Sequence, residues 1–287
     1  MKSPAHSIDG PSPAQCIRNI ALGADGVWRP PGHSAVSYPD EGHDSCHGVE
    51  DGSFWFRHRN RCIAALVANF QPPPALPFAD IGGGNGFVSQ MLSGLGLRTV
   101  LIEPGESGIR HARERGLAEL VQASIVDLDV IPASLGAIGL FDVVEHIEQD
   151  ADALRSLRPM LADGGRIYAT VPAHAWLWSS VDVDAGHFRR YTSGQLRRLF
   201  ESAGFTVDFC SYYFWPLPPA MWLMRTLPER LGARARPQRQ ARVKSEHGHE
   251  SRWLQRSLAW EESMLRNGRR VPFGASLILA ASRHGIR

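Results

Sequence analysis

Asp80-Ile81-Gly82-Gly83-Gly84-Asn85-Gly86-Phe87 is the stretch whose residue types commit to a chemistry. A short apolar run from Leu76 to Ile81, opened by prolines, leads into it, and Phe87, Val88, Met91, Leu92 and Leu95 follow at helical spacing. The pattern reads as strand, glycine turn, helix. Glycines let a backbone pass close beneath a ligand where a Cβ has no room, and they reach positive φ without strain. The helix behind them turns its free amides toward whatever is bound. Two common ligands fail on spacing. A dinucleotide fingerprint needs a third small residue where Phe87 stands. A Walker loop needs Gly-Lys-Ser/Thr, and no Lys or Arg lies between Arg61 and Arg98 to meet a phosphate. One strand later, Arg98-Thr99-Val100-Leu101-Ile102-Glu103 ends in a carboxylate placed to accept hydrogen bonds from both hydroxyls of a ribose.

Proton-transfer chemistry is carried by two further stretches. Asp142-Val143-Val144-Glu145-His146-Ile147-Glu148 sets an imidazole among carboxylates at the end of an apolar strand. In an open α/β sheet, substrates meet cofactors at such carboxyl ends. His146 reads as a general base oriented by Glu145, or as a helix-start residue that only packs. Gly186-His187-Phe188-Arg189-Arg190-Tyr191-Thr192, preceded by Trp176-Leu177-Trp178, brings a second imidazole, guanidinium groups and aromatic rings to the same mouth. His187 joins His146 and Glu145 as a catalytic candidate, and Trp178, Arg190 and Tyr191 are candidates for the substrate pocket. Trp55 is another, within Phe54-Trp55-Phe56-Arg57-His58-Arg59, a cluster suited either to a flap over the site or to anchoring its own helix.

The elements that must position these groups follow from periodicity. Strands are expected at Leu76–Ile81, Arg98–Glu103, Leu120 onward, Ala137–Val144, Arg166–Pro172, Phe205–Cys210 and Ala275–Ala281, the last antiparallel. Helices fall between them. One runs over 149–161 and stops at Asp163-Gly164-Gly165, and another begins at a capping box made by Thr192 and Gln195. The expected fold is therefore α/β, a doubly wound, seven-stranded, mostly parallel sheet. Residues 1–52 form an extended arm or lid, and 53–287 a single domain with core 75–210, an insertion at 211–270 and a closing strand at 271–283.

Composition narrows the setting. With 287 residues and 43% hydrophobic content the chain can bury one full core. A net charge of +2 gives no bulk electrostatic case for DNA. Cys16, Cys46, Cys62 and Cys210 are scattered without a C-x-x-C pair, and the amino terminus lacks the apolar core of a secretory signal, so a reduced, cytoplasmic protein is expected. His33, His43, Asp44, Cys46 and His47 invite a zinc reading but lack a second ligand pair, and read as a polar loop. The apolar 212–224 run followed by the basic 225–244 run is compatible with peripheral contact to an anionic membrane or, more simply, with a solvated loop.

From Asp80 to Pro172 the chain resembles the class I S-adenosylmethionine-dependent methyltransferases, in the Asp-x-Gly-x-Gly-x-Gly turn, the acid Glu103, the Gly164-Gly165 pair and Pro172. Leu177-Trp178-Ser179 and the Gly186–Tyr191 string are similar to a bacterial subgroup of that family. The resemblance implies S-adenosylmethionine as cofactor, held by Asp80, Gly82, Gly84, Gly86, Glu103 and Phe141, with Asp127 at the adenine amino group. The Asp142-x-x-Glu145-His146 spacing also resembles ubiquinone-pathway and small-RNA ribose methyltransferases, in which such residues bind a divalent cation. Here that leaves a metal reading at Asp142, Glu145 and His146 beside the metal-free one, which is preferred. No Asn/Asp-Pro-Pro-aromatic tetrapeptide is present, which argues against base methylation. The expected reaction is methyl transfer, foremost to oxygen, on a small-molecule, glycan or lipid-like acceptor. Its rivals are a nicotinamide-dependent oxidoreductase, a non-catalytic adenosyl-binding protein and an RNA ribose methyltransferase. The oligomeric state stays open.

Overall fold

Alternation along the strands decides the architecture, which a computed structural model describes for residues 12–31, 48, 50–232 and 251–283. The strands are β1 (Ala21–Leu22), β2 (Trp28–Arg29), β3 (Phe78–Ile81), β4 (Thr99–Ile102), β5 (Leu120–Val121), β6 (Leu135–Phe141), β7 (Leu161–Pro172), β8 (Thr206–Tyr213) and β9 (Ser276–Ser282). They lie in one sheet in the order β1-β2-β5-β4-β3-β6-β7-β9-β8. From β2 to β7 the neighbours run parallel, and β9 enters antiparallel between β7 and β8. Successive side chains on a strand point to opposite faces. Accordingly Ala79, Ile138, Ala169 and Leu279 enter one core cluster, while Phe78, Ala137, Tyr168 and Ile278 enter another. Helices cover both faces, as an all-buried parallel sheet requires.

Nine strands form this sheet, where seven were expected. The additional pair is the hairpin β1–β2, which extends the edge by pairing Trp28 with Val121 of β5. Each of its strands has two residues, too few to show alternation against a Pro- and Gly-rich background. Arg29 holds the hairpin by a bidentate bond to Asp25, at 2.8 Å for each contact, and reaches Gln122 at 2.8 Å.

The helices are α1 (Pro13–Cys16), α2 (Phe54–Asn69), α3 (Phe87–Gly94), α4 (Glu106–Glu114), α5 (Asp150–Leu157), α6 (Ser180–Ala185), α7 (Ser193–Ser202), α8 (Pro218–Met221), α9 (Leu227–Arg230) and α10 (Arg252–Arg266). A π-helical turn over Trp222–Thr226 joins α8 to α9. The capping box of Thr192 and Gln195 starts α7 as its sequence predicts. Helix α5 is shorter than expected, because Pro159 supplies no amide to continue it. Leu161 to Gly165 instead opens β7. Among the described residues, no helix is long and apolar enough to cross a membrane. His33, His43, Asp44, Cys46 and His47, and the basic run from 233 to 244, lie outside the described residues.

Helix α10, from the insertion, packs on α2 through one fully buried carboxylate. Glu261 accepts from the amides of Phe214 at 2.8 Å and Trp215 at 2.7 Å, and its Oε1 lies 2.6 Å from His58 Nε2. Phe214 sits at φ 59°, a left-handed conformation costly for an aromatic residue, and the two amide bonds hold it there. Removing the carboxylate strands two amides and an imidazole without water. Glu261→Ala is therefore expected to cost about 3 kcal/mol, with Glu261→Gln, which keeps an acceptor, costing less. Urea denaturation followed by circular dichroism checks both.

Candidate functional site

The glycine turn lies at the carboxyl end of β3, in the middle of the sheet. Gly82 donates to Ile102 O of β4 at 2.8 Å, and Gly86 to Gly83 O at 3.0 Å. Gly84 (φ 53°) and Gly86 (φ 76°, the cap of α3) occupy the left-handed region, so the turn closes only with glycine there. Glu103, 4% exposed, accepts from Gly84 N at 2.9 Å through Oε2 and from Gly105 N at 2.8 Å through Oε1. It thus ties the turn to the start of α4. A carboxylate has about four lone-pair sites, more than these two amide bonds use. A Cβ on Gly108 would stand 2.9 Å from both Glu103 Cγ and Gly84 O, so this helical glycine lets α4 approach the turn. Its contribution passed unnoticed in sequence, where it looks like one more helix position.

Asp80 braces the turn from behind. Its carboxylate, 1% exposed, accepts from Ser89 Oγ at 2.6 Å. Burial pushes its pKa up to about 6, against the lowering effect of the Ser89 bond and of Arg59. Asp127 sits in the turn Ile125–Asp127 after β5, where Asn19 Nδ2 donates to its carbonyl at 2.7 Å. Phe141, buried at the end of β6, packs on Phe78, and its carbonyl accepts from Arg59 Nη2 at 3.0 Å.

Beyond β6 the chain turns sharply. Asp142, at φ 59°, accepts from Thr170 Oγ1 at 2.8 Å and pairs with Arg59 Nε at 2.9 Å. Glu145 and His146 follow in a single 3₁₀ turn, Val144–His146. The 186–191 loop is stitched to this turn by Phe188 N, which donates to Glu145 O at 2.8 Å, and to β7 by Tyr191 N, which donates to Pro172 O at 3.0 Å. The imidazoles of His146 and His187 consequently meet edge to face, with centroids 4.7 Å apart. Burial, and then the neighbouring His187, lower the pKa of His146 to about 4, so it is neutral at pH 7. Glu145 is 1% exposed, and its Oε2 has no hydrogen-bond partner among the described residues. Burial, followed by the charge of Asp142, pushes its pKa well up.

His187 is oriented by a residue that was not singled out in the sequence. Nδ1 of His187 lies 2.9 Å from Oδ1 of Asp182, which is fully buried. Arg190 donates to the same carboxylate through Nε at 2.7 Å and Nη2 at 3.0 Å, and Ser179 N donates at 3.0 Å. Burial alone would raise the pKa of Asp182; the bonds from His187 and Arg190 outweigh it and hold the carboxyl below its usual range. An ionised Asp182 fixes the Nδ1–H tautomer of His187 and leaves Nε2 as an acceptor. Ser179 and Asp182 also form the capping box of α6, and that local signal masked the longer-range role in sequence.

The aromatic and basic candidates divide. Trp55 stacks on Phe214 at 3.9 Å, inside the α2–α10 packing. Arg190 is occupied by Asp182 and by Ala173 O at 3.2 Å, and the hydroxyl of buried Tyr191 donates to Asp150 Oδ2 at 2.9 Å. Trp178 is half-buried just before α6. For a metal, Glu145, His146 and His187 each bring a ligand atom within 4.8 Å of the others, a set that would suit a borderline divalent ion. Asp142 stands outside that set, occupied by Arg59 and Thr170. His58, Cys62 and Glu261 also lie close together, but the Glu261 oxygens are taken by amides.

A mostly parallel, doubly wound sheet with a glycine turn after its central strand and a buried acid after the next defines a nucleoside-cofactor-binding α/β domain. Residues 55–208 match the family model described as a methyltransferase domain, and the chain belongs to that family. It is 23% identical over 168 residues to a probable S-adenosylmethionine-dependent methyltransferase of Mycobacterium tuberculosis, across 57% of this chain and 60% of that protein. A Mycolicibacterium smegmatis relative with the same description is 22% identical over 173 residues, 59% of this chain and 66% of its own length. The match thus spans about three-fifths to two-thirds of these relatives. Among solved structures, phosphoethanolamine N-methyltransferase 2 of Haemonchus contortus in complex with S-adenosyl-L-methionine superposes with a TM-score of 0.55. That alignment has 17% identity and covers 90% of this chain and 62% of that one, a likeness of fold. These comparisons lend no support to the nicotinamide-dependent reading.

The depressed pKa of His146 has a signed consequence. In the unfolded chain His146 takes up a proton near pH 6.5, whereas in the folded protein it does so only near 4. Its contribution to stability is whole above the unfolded value and is lost as pH falls toward 4. His146→Asn removes this term. On going from pH 7.5 to 5, wild type is expected to lose about 2 kcal/mol more than the variant, read from paired urea titrations.

Proposed function

We propose that the protein transfers a methyl group from S-adenosylmethionine to a hydroxyl of a small-molecule, glycan or lipid-like acceptor, with His187 as the general base. The observation that carries the reading is the Asp182–His187 pair, held beside His146 and Glu145 at the carboxyl ends of β6 and β7. S-adenosylmethionine, when bound, supplies a methyl group already activated as a sulfonium. The turn at Gly82, Gly84 and Gly86 offers backbone amides and close approach, and the Glu103 carboxylate beside it accepts from the ribose hydroxyls. His187 Nε2 takes the proton of the acceptor hydroxyl, and Asp182 keeps the ring in register and stabilises the imidazolium that results. Neutral His146 and the protonated form of Glu145, favoured by its raised pKa, complete the wall with hydrogen-bonding capacity rather than charge. The named relatives, described as methyltransferases, support the reaction class.

Calorimetric titration with S-adenosylmethionine, its demethylated product and NAD tests the cofactor. Binding of the first two, without NAD, is expected. Glu103→Ala should weaken it about 10- to 100-fold, the value of a charged hydrogen bond or two, and Glu103→Gln, which retains the amide acceptor, less so. Wild-type protein that is folded and binds neither methionine-derived ligand would sink the reading.

The base is tested separately, on an acceptor found by screening hydroxylated lipids and glycans. His187→Ala is expected to lower turnover at least about 100-fold while cofactor affinity stays unchanged. Asp182→Asn, by freeing the wrong tautomer, should lower turnover and displace the pH profile. Unchanged turnover in His187→Ala removes that residue from the mechanism.

A further inference from the structure

We propose that the outer face of Pro218–Leu231, together with the exposed tryptophans of α10, is a docking surface for an anionic lipid bilayer. In the segment α8, π-turn, α9, the inward face is bound to the protein. Thr226 Oγ1 donates to Leu177 O at 3.3 Å, and Glu229 accepts from Ser180 N at 2.8 Å and Ser180 Oγ at 2.7 Å. The opposite face is apolar and open to solvent, with Leu223 57%, Met224 78% and Leu231 76% exposed. Positions 220, 223, 224, 227 and 231 recur at helical spacing, so this is one stripe, carried by Ala, Leu, Met, Leu and Leu. At its base Trp215 packs edge-on against Trp253 and Trp260 of α10, which are themselves 61% and 48% exposed. Contiguous apolar exposure on this scale marks a contact surface.

Charge selects the occupant. Arg230, Arg252 and Arg256 are exposed on these same helices. The acids there, Glu229, Glu261 and Glu262, are each occupied: Glu229 by Ser180, Glu261 by two amides and Glu262 by Arg61 at 3.0 Å and Arg266 at 2.7 Å. Among the described residues, the face therefore presents leucine, methionine and tryptophan among cations, its carboxylates being engaged. That is the composition of helices that lie in the headgroup region of anionic membranes, with indoles at the polar boundary. The inward contacts of the segment fall on Leu177 and Ser180, at the entrance to the loop that carries Asp182 and His187. Docking would thus set the candidate site at the bilayer surface, where a lipid-like acceptor is presented.

Co-sedimentation of the full chain with phosphatidylglycerol-rich vesicles, beside pure phosphatidylcholine vesicles, tests the surface without cofactor or acceptor, so its outcome is independent of the proposed reaction. Binding to the anionic vesicles that weakens with added salt is expected. In Leu223→Glu/Met224→Glu the partition should drop at least about tenfold, and in Trp253→Ser/Trp260→Ser by a smaller factor. The proposal is overturned if wild type stays in the supernatant, or if the Leu223→Glu/Met224→Glu protein sediments as wild type does. Sedimentation velocity provides the remaining arm. A dimer that these substitutions dissociate, without vesicle binding, would make the face an interface between two copies and overturn the lipid assignment.

Discussion

A carboxylate withdrawn from water must be surrounded by donors, and three such groups tie the segments of this protein together. Glu103 joins the glycine turn after β3 to the start of α4, Asp182 joins α6 to His187 and Arg190, and Glu261 joins α10 to the bend after β8 and to α2. Each spends its charge on backbone amides or on cationic and imidazole side chains, which are the partners that repay desolvation. Because both oxygens are engaged, each carboxylate fixes direction as well as distance. Two places where the chain leaves regular structure, at Gly84 and at Phe214, are held by such bonds.

Two other buried acids are not matched in this way, and their chemistry differs accordingly. Asp80 has Ser89 as its near donor and Arg59 at longer range, and its pKa is drawn up to about 6. Glu145 keeps an oxygen without a hydrogen-bond partner among the described residues, beside Asp142, and its pKa rises well above the carboxylate range. On either side of His187, Glu145 thus favours its neutral form and Asp182 its charged one. Paired groups driven apart by their surroundings are a usual mark of sites that move protons.

Much of this was legible in the sequence, because the strongest signals are local. The glycine turn, the acid after β4, the capping box of α7 and the antiparallel β9 are each written in a handful of adjacent residues. The hairpin β1–β2 was not, since two-residue strands carry no period. The Gly164-Gly165 pair signals a helix end in sequence, but Pro159 ends α5 earlier. In the site, the two imidazoles were legible as types and positions, but the orienter of His187 was not. Asp182 announces itself in sequence only as the third residue of a short helix, and its second role exists because the loop folds back five residues later. Arg190 shows the converse. A guanidinium beside the expected site is legible as a type, but its partners are not: Nε and Nη2 donate to the buried Asp182 and Nη1 to Ala173 O.

The two imidazoles are also unequal, and the inequality assigns their roles on the proposed reading. Burial depresses the basicity of His146 so far that at pH 7 it is a poor proton acceptor. His187 has Asp182 at Nδ1, a partner that orients the ring and leaves Nε2 to accept. A base must gain a proton during the reaction, and only the ring whose charge is compensated can do so cheaply. Placing a second positive charge on His146, 4.7 Å away between ring centroids, would oppose that step. Keeping His146 neutral is therefore as much a part of a working base as keeping Asp182 ionised.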